Sequence, residues 1–142
     1  MGREILFRGK HIHVRPENEH LDGRWIEGYL ADKNYINSPE LEGEFLVDPE
    51  TVCQYTGLTD KNGRKIFEGD ILKRVLLPTK RIENNFRIAF VPVKSCFSAI
   101  DLDGSNVTFI SDYINSSYEI EVIGNIFDNP ELLEVHNEKE NR

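Results

Sequence analysis

The stretch from Val52 to Leu72 constrains the fold more than any other part of the chain. Two runs rich in β-branched, aromatic and other apolar residues flank Asp60-Lys61-Asn62-Gly63. That tetrapeptide holds what a chain reversal needs. Asp60 can accept from its own backbone, Asn62 suits the turn, and Gly63 takes positive φ without steric cost. A loop of this length carries a type I turn followed by a left-handed residue that forms a bulge. Gly69-Asp70 interrupts the second run just before Ile71-Leu72, which predicts a bulge or a close backbone approach. The reading is strand, tight turn, strand.

The rest of the chain repeats this grammar. Ile5-Leu6-Phe7-Arg8-Gly9 and His11-Ile12-His13-Val14 lean to strand. Asp22-Gly23 is a hairpin signal, followed by Trp25 to Leu30, which sets Trp25, Glu27 and Tyr29 on one face and Ile26 and Leu30 on the other. Asp48-Pro49-Glu50-Thr51 predicts a turn or a single helical turn, with Asp48 as cap and Pro49 first. Phe86 to Val91 alternates, with Phe86, Ile88 and Phe90 on one face, expected to be the core face. Cys96 to Asp101, the Asp103-Gly104 turn and Val107 to Ile110 form the next reversal. Tyr118 to Phe127 is a long strand broken at Gly124, and Asn129-Pro130 starts a short C-terminal helix with Asn129 capping. Strands separated by turns at short spacing, without long helical periodicity, predict a mainly β chain. The expected layout is two small β subdomains, residues 1–58 and 59–135, the second an SH3-like barrel, with a charged tail at 136–142.

Three segments carry a resemblance. Gln54-Tyr55-Thr56-Gly57-Leu58, Asp60-Lys61-Asn62-Gly63 and Ile66-Phe67-Glu68-Gly69-Asp70-Ile71 resemble the signature of the YopX family of small phage and prophage proteins. Arg3 to Lys10 is similar to that family's start, and Glu121 to Leu133 to its end, including Gly124. The resemblance implies a β-rich protein of phage or prophage origin. It brings no catalytic residues, because the family has none agreed. It makes Gln54, Tyr55, Gly57, Asp60, Gly63, Glu68, Gly69, Asp70 and Gly124 a structural signature.

Charge narrows the function. The net charge of −8 argues against a general nucleic-acid binder, which needs positive potential to displace counterions from phosphate. Its distribution is uneven, however. Residues 71–94 carry a net +5 and residues 117–142 a net −5. Such opposition favours head-to-tail contact between subunits, so a homo-oligomer or a host or phage protein partner is expected. No apolar run approaches the ~20 residues of a membrane span, and the start lacks a hydrophobic signal region, so a cytoplasmic protein is expected. Leu6 stands where a myristoylation motif needs Ser or Thr. Asn106-Val107-Thr108 and Asn115-Ser116-Ser117 match a glycosylation pattern that matters only in secreted proteins.

Candidate chemistry is sparse. His11 and His13 share a strand face and, with His20 or a carboxylate, form a metal candidate; an exposed strand face is the favoured reading. Asp48, Glu50, Asp60, Glu68 and Asp70 gather around the signature, where acid–base work or magnesium binding competes with turn and cap roles. Cys53 and Cys96 are expected to be buried thiols rather than nucleophiles or a disulfide. Gly57, Gly63 and Gly69 match no phosphate-cradling loop. The binding candidate is the basic segment Lys73, Arg74, Lys80, Arg81, Arg87 and Lys94, interleaved with Phe86, Phe90 and Phe97 in the manner of a single-strand binder. No cofactor or metal is expected. The favoured function is a non-enzymatic phage accessory protein acting through protein interaction or self-assembly. The alternatives are nucleic-acid association through residues 71–94 and a carboxylate-dependent enzyme.

Overall fold

The computed structural model describes residues 4–12 and 16–134. The chain forms two compact units, Met1–Leu58 and Thr59–Arg142. It is mainly β, with short 3-10 turns instead of longer helices among the described residues.

In the first unit, β1 (Phe7–Lys10), β2 (Trp25–Asp32), β3 (Tyr35–Ser38), β4 (Gly43–Leu46) and β5 (Cys53–Thr59) run in the order β4-β3-β2-β1-β5. Every pairing among them is antiparallel. Alternation along β2 holds at its start, with Ile26 and Gly28 buried and Glu27 and Tyr29 exposed, but Leu30, expected on the face of Ile26, is 40% exposed at the far end of the strand. Ile26, Ile36 and Val47 form the buried centre, covered by Phe7, Leu41, Phe45 and Val52. Gly28 sits where β2 and β3 crowd together. A Cβ built there would lie 2.1 Å from the Asn37 carbonyl oxygen, so only glycine fits. The turn at Pro49–Thr51 is capped as expected, with Asp48 Oδ1 accepting from the Glu50 amide at 3.0 Å. Pro16–Leu21 is a short 3-10 turn.

The second unit holds β6 (Lys65–Phe67), β7 (Asp70–Leu76), β8 (Arg81–Ile82), β9 (Phe86–Val91), β10 (Cys96–Asp101), β11 (Val107–Phe109) and β12 (Tyr118–Asn125). Its main sheet runs β11-β10-β9-β7-β12, with β8 paired to β7. No closure into the expected SH3-like barrel is present among the described residues, because β11 and β12 end the order. Strand count and spacing are barrel-like, but β12 pairs back onto β7 and leaves the sheet open. Ile66, Leu72, Phe86, Ile88, Ala99, Ile110 and Ile120 form the core. Phe90 shares the face of Phe86 and Ile88 but is 44% exposed, against the expectation that it is core. It lies near the end of β9, beyond the reach of the cluster, with its ring edge-on to Phe97. The expected C-terminal helix is a 3-10 turn, Pro130–Leu133, and Asn129 does not cap it through its side chain. Asn129 Oδ1 accepts instead from the Asn125 amide at 3.2 Å.

Candidate functional site

The signature acids anchor backbone. Gly63, at φ +80°, closes the turn by donating to the Asp60 carbonyl at 3.0 Å. Asp60 Oδ1 accepts from the amides of Asn62 and Arg64, and Oδ2 accepts from the amide of Val122, all at 2.9 Å. Burial pushes the Asp60 carboxyl up, but the Val122, Arg64 and Asn62 amides and the Arg64 charge outweigh it and hold it below its ordinary value. Asp70 is buried, and its Oδ2 accepts from the Phe67 amide at 2.8 Å. Gly69, at φ +86°, makes the tight link between β6 and β7. Gly124 follows the bulge in β12, where a Cβ would lie 2.5 Å from Asn129 Oδ1. These residues do not converge on an open cleft.

The other catalytic candidates disperse as well. Among the described residues, no three histidine, cysteine, aspartate or glutamate side chains group as metal ligands. His11 is buried, not on an exposed face: its Nδ1 lies 2.7 Å from the Leu46 carbonyl and its ring stands edge-on to Phe45. His13 lies outside the described residues, and His20 is exposed. Cys53 is a buried free thiol donating to the Thr51 carbonyl at 3.3 Å. Cys96 is a half-buried free thiol beside Ser98.

The basic segment does not form one patch. Lys73 and Arg74 are neighbours on β7, so they leave opposite faces of the sheet. Lys73 pairs across the ladder with Glu121 at 3.2 Å. That contact, through its hydrogen bond first and its charge second, lowers the Glu121 carboxyl. Arg74 stacks over Tyr113 and Tyr118, Arg81 reaches Glu83, and Lys94 lies over Phe109. The opposed charges of the middle and late segments therefore meet inside one unit, where Lys61 also pairs with Glu119.

A concave site in the second unit lies elsewhere. A 370 Å³ cavity is walled by Glu83, Asp101, Asp103, Glu131 and Glu134, with Ile82, Leu102 and Leu132 as its apolar lining and Asn84 and Asn85 completing it. The Asp103-Gly104 turn shapes one wall, with Asp103 Oδ1 accepting from both the amide and the hydroxyl of Ser105. Those two bonds hold the Asp103 carboxyl below its ordinary value, so it stays ionised. Asp101 Oδ2 accepts from Asn106 at 2.7 Å, and Arg81 faces Glu83 at 3.4 Å. The arrangement is acidic and carries no serine, threonine, cysteine, lysine or histidine in its lining. Sequence reading missed it. Its walls come from residues 82–85, 101–103 and 131–134, and no short spacing joins them.

No helix among the described residues is long and apolar enough to cross a membrane. No curated protein matches the chain. Among solved structures, protein EF1440 from Enterococcus faecalis is similar, at 27% identity and a TM-score of 0.52, over 94% of this chain and 100% of that one. The YopX protein family matches residues 11–134, a span that takes in the turn tied by Asp60, the buried Asp70 and the crowded Gly124. The chain belongs to the YopX family.

Proposed function

We propose that this is a non-enzymatic accessory protein of phage or prophage origin that works in the cytoplasm by binding another protein. The observation that carries the reading is the acid-walled cavity of the second unit over Ile82, Leu102 and Leu132. The signature acids support it too, because Asp60 and Asp70 hold backbone amides. Magnitudes favour a protein partner over a free amine. One exposed ion pair contributes ~0.2–1 kcal/mol, too little for useful affinity. A partner segment that sets a lysine or arginine among the carboxylates and also covers the apolar lining adds about 1.5–3 kcal/mol per buried Leu-sized side chain. The partner expected is therefore a basic segment with an apolar neighbour.

The test uses the tagged full chain as bait in an infected or lysogenic host, beside Asp101→Asn and Glu131→Gln. A partner recovered by the wild type, reduced about tenfold by either substitution and released by salt, supports the reading. Equal recovery by all three removes the cavity from it. A catalytic activity abolished by Asp70→Asn in a folded protein overturns it.

A further inference from the structure

Away from the cavity, the turn that Asp60 ties holds a reactive pair. Asn62-Gly63 is the only Asn-Gly step in the sequence, and both residues are exposed. Asparagine before glycine is prone to intramolecular attack, because no Cβ shields the glycine nitrogen. Here both reacting groups are restrained. The Gly63 amide donates to the Asp60 carbonyl at 3.0 Å. Asp60 Oδ1 accepts from the amides on either side, Asn62 and Arg64, both at 2.9 Å. Asn62 Nδ2 donates to Glu121 Oε2 at 3.1 Å, which draws the side chain toward β12. Lys61 pairs with Glu119 and Lys73 with Glu121, so Asn62 is the neutral donor in a row of charges.

We propose that Asn62 is a deamidation site, that the Asp60 carboxylate sets its rate, and that its product unties the turn from β12. The Gly63 nitrogen, once its proton is lost to hydroxide, attacks Cγ of Asn62. A C–N bond forms, the Cγ–Nδ2 bond breaks, and Nδ2 leaves as ammonia from a five-membered succinimide. Water then opens either ring carbonyl, leaving aspartate or isoaspartate at this position. The balance is amide plus water to carboxylate plus ammonium. Because the Asp60 carbonyl holds the attacking N–H and Glu121 holds the leaving amide, the step waits for the turn to open. Either product places a carboxylate where Asn62 had a donor, facing the Glu121 carboxylate, and like charges repel. Isoaspartate also adds a methylene to the backbone between the two amides that Asp60 Oδ1 holds. The change runs one way: a new chain is latched to β12, an aged one is loosened there.

The test is mass spectrometry of the full chain incubated in mild alkali well below its melting temperature, with the modified residue mapped by fragmentation. Wild type should deamidate at Asn62, and Gly63→Ala should nearly stop it. Asp60→Ala frees the amides flanking Gly63 and should speed the reaction about tenfold. Ile88→Ala, which weakens the same unit from its core, should leave the rate at the wild-type value. A wild type that deamidates elsewhere, an Asp60→Ala protein no faster than wild type, or equal acceleration by Ile88→Ala overturns the proposal. The consequence is read separately from Asn62→Asp beside Asn62→Ser, which needs no incubation. Asn62→Asp should melt roughly 3 °C lower than Asn62→Ser at low salt, with the gap closing at high salt. If the two melt together at low salt, the untying of β12 is refuted. None of these residues lines the cavity, so the result is independent of the partner reading.

Discussion

Removing the Asp60 carboxylate is the most direct test of what the signature does. Its three acceptor contacts differ in surroundings. Asn62 and Arg64 are exposed turn residues, where water replaces a lost acceptor at small cost, whereas the Val122 amide belongs to β12. A hydrogen bond to a charged group contributes about 1.5–3 kcal/mol, so we assign ~2 kcal/mol to Val122 and ~1 kcal/mol to the two turn amides together. Asp60→Ala should therefore cost ~3 kcal/mol, a large share of the 5–15 kcal/mol typical of a folded domain. Asp60→Asn separates the two parts. It keeps Oδ1 for Asn62 and Arg64 but sets an amide donor against the Val122 N–H, and should cost ~2 kcal/mol. Urea unfolding followed by circular dichroism measures both, and the matching fall in Tm is roughly 10 °C for Asp60→Ala. Acid supplies an independent check. Because the folded carboxyl lies below its ordinary 3.8, its contribution is complete above that value and is lost as pH falls through the lower folded value. The gap between wild type and Asp60→Ala should then close in acid. A cost below ~0.5 kcal/mol for Asp60→Ala, or a neutral Asp60→Asn, would refute the anchoring role.

Four further substitutions follow from glycine and ladder geometry. Gly28→Ala forces a methyl against the Asn37 backbone and should cost more than ~2 kcal/mol, whereas Gly63→Ala, with open space but φ at +80°, should cost ~1 kcal/mol; thermal melts that rank them the other way contradict the geometry. Gly124→Ala should displace the Asn129 side chain from the Asn125 amide at a cost of ~1–2 kcal/mol, with faster exchange of that amide by NMR as the local readout. Lys73→Ala removes an exposed ion pair and should change stability by less than ~1 kcal/mol at low salt, with the Glu121 carboxyl rising toward its ordinary value in an NMR titration.

Local features were legible and long-range ones were not. Asp60-Lys61-Asn62-Gly63 announced its turn because Gly63 and the Asp60 side chain act within four residues. Nothing in that tetrapeptide announced Val122, which is 62 residues away. Alternation sets Phe86, Ile88 and Phe90 on one face, but period says nothing about where a strand runs past its core, and Phe90 lies past it. The basic run looked like a patch because charge was counted along the sequence, while a strand sends Lys73 and Arg74 to opposite faces. His11 looked exposed because a single histidine gives no sign of the Leu46 carbonyl that binds it. The cavity needs three separate segments to close, and its acids read one by one as parts of different elements, Asp101 as the end of a strand and Asp103 as a turn residue.

The reach from Asp60 to Val122 also sets an order of events as the chain is made. The hairpin turn leaves the ribosome with one carboxylate oxygen still waiting for its donor, and β7 waits for β12, its neighbour at the far end of the unit. Contacts this distant in sequence form late. A fragment stopped before Tyr118 would leave the turn half anchored and β7 bare along one side, so a chain cut there should misfold.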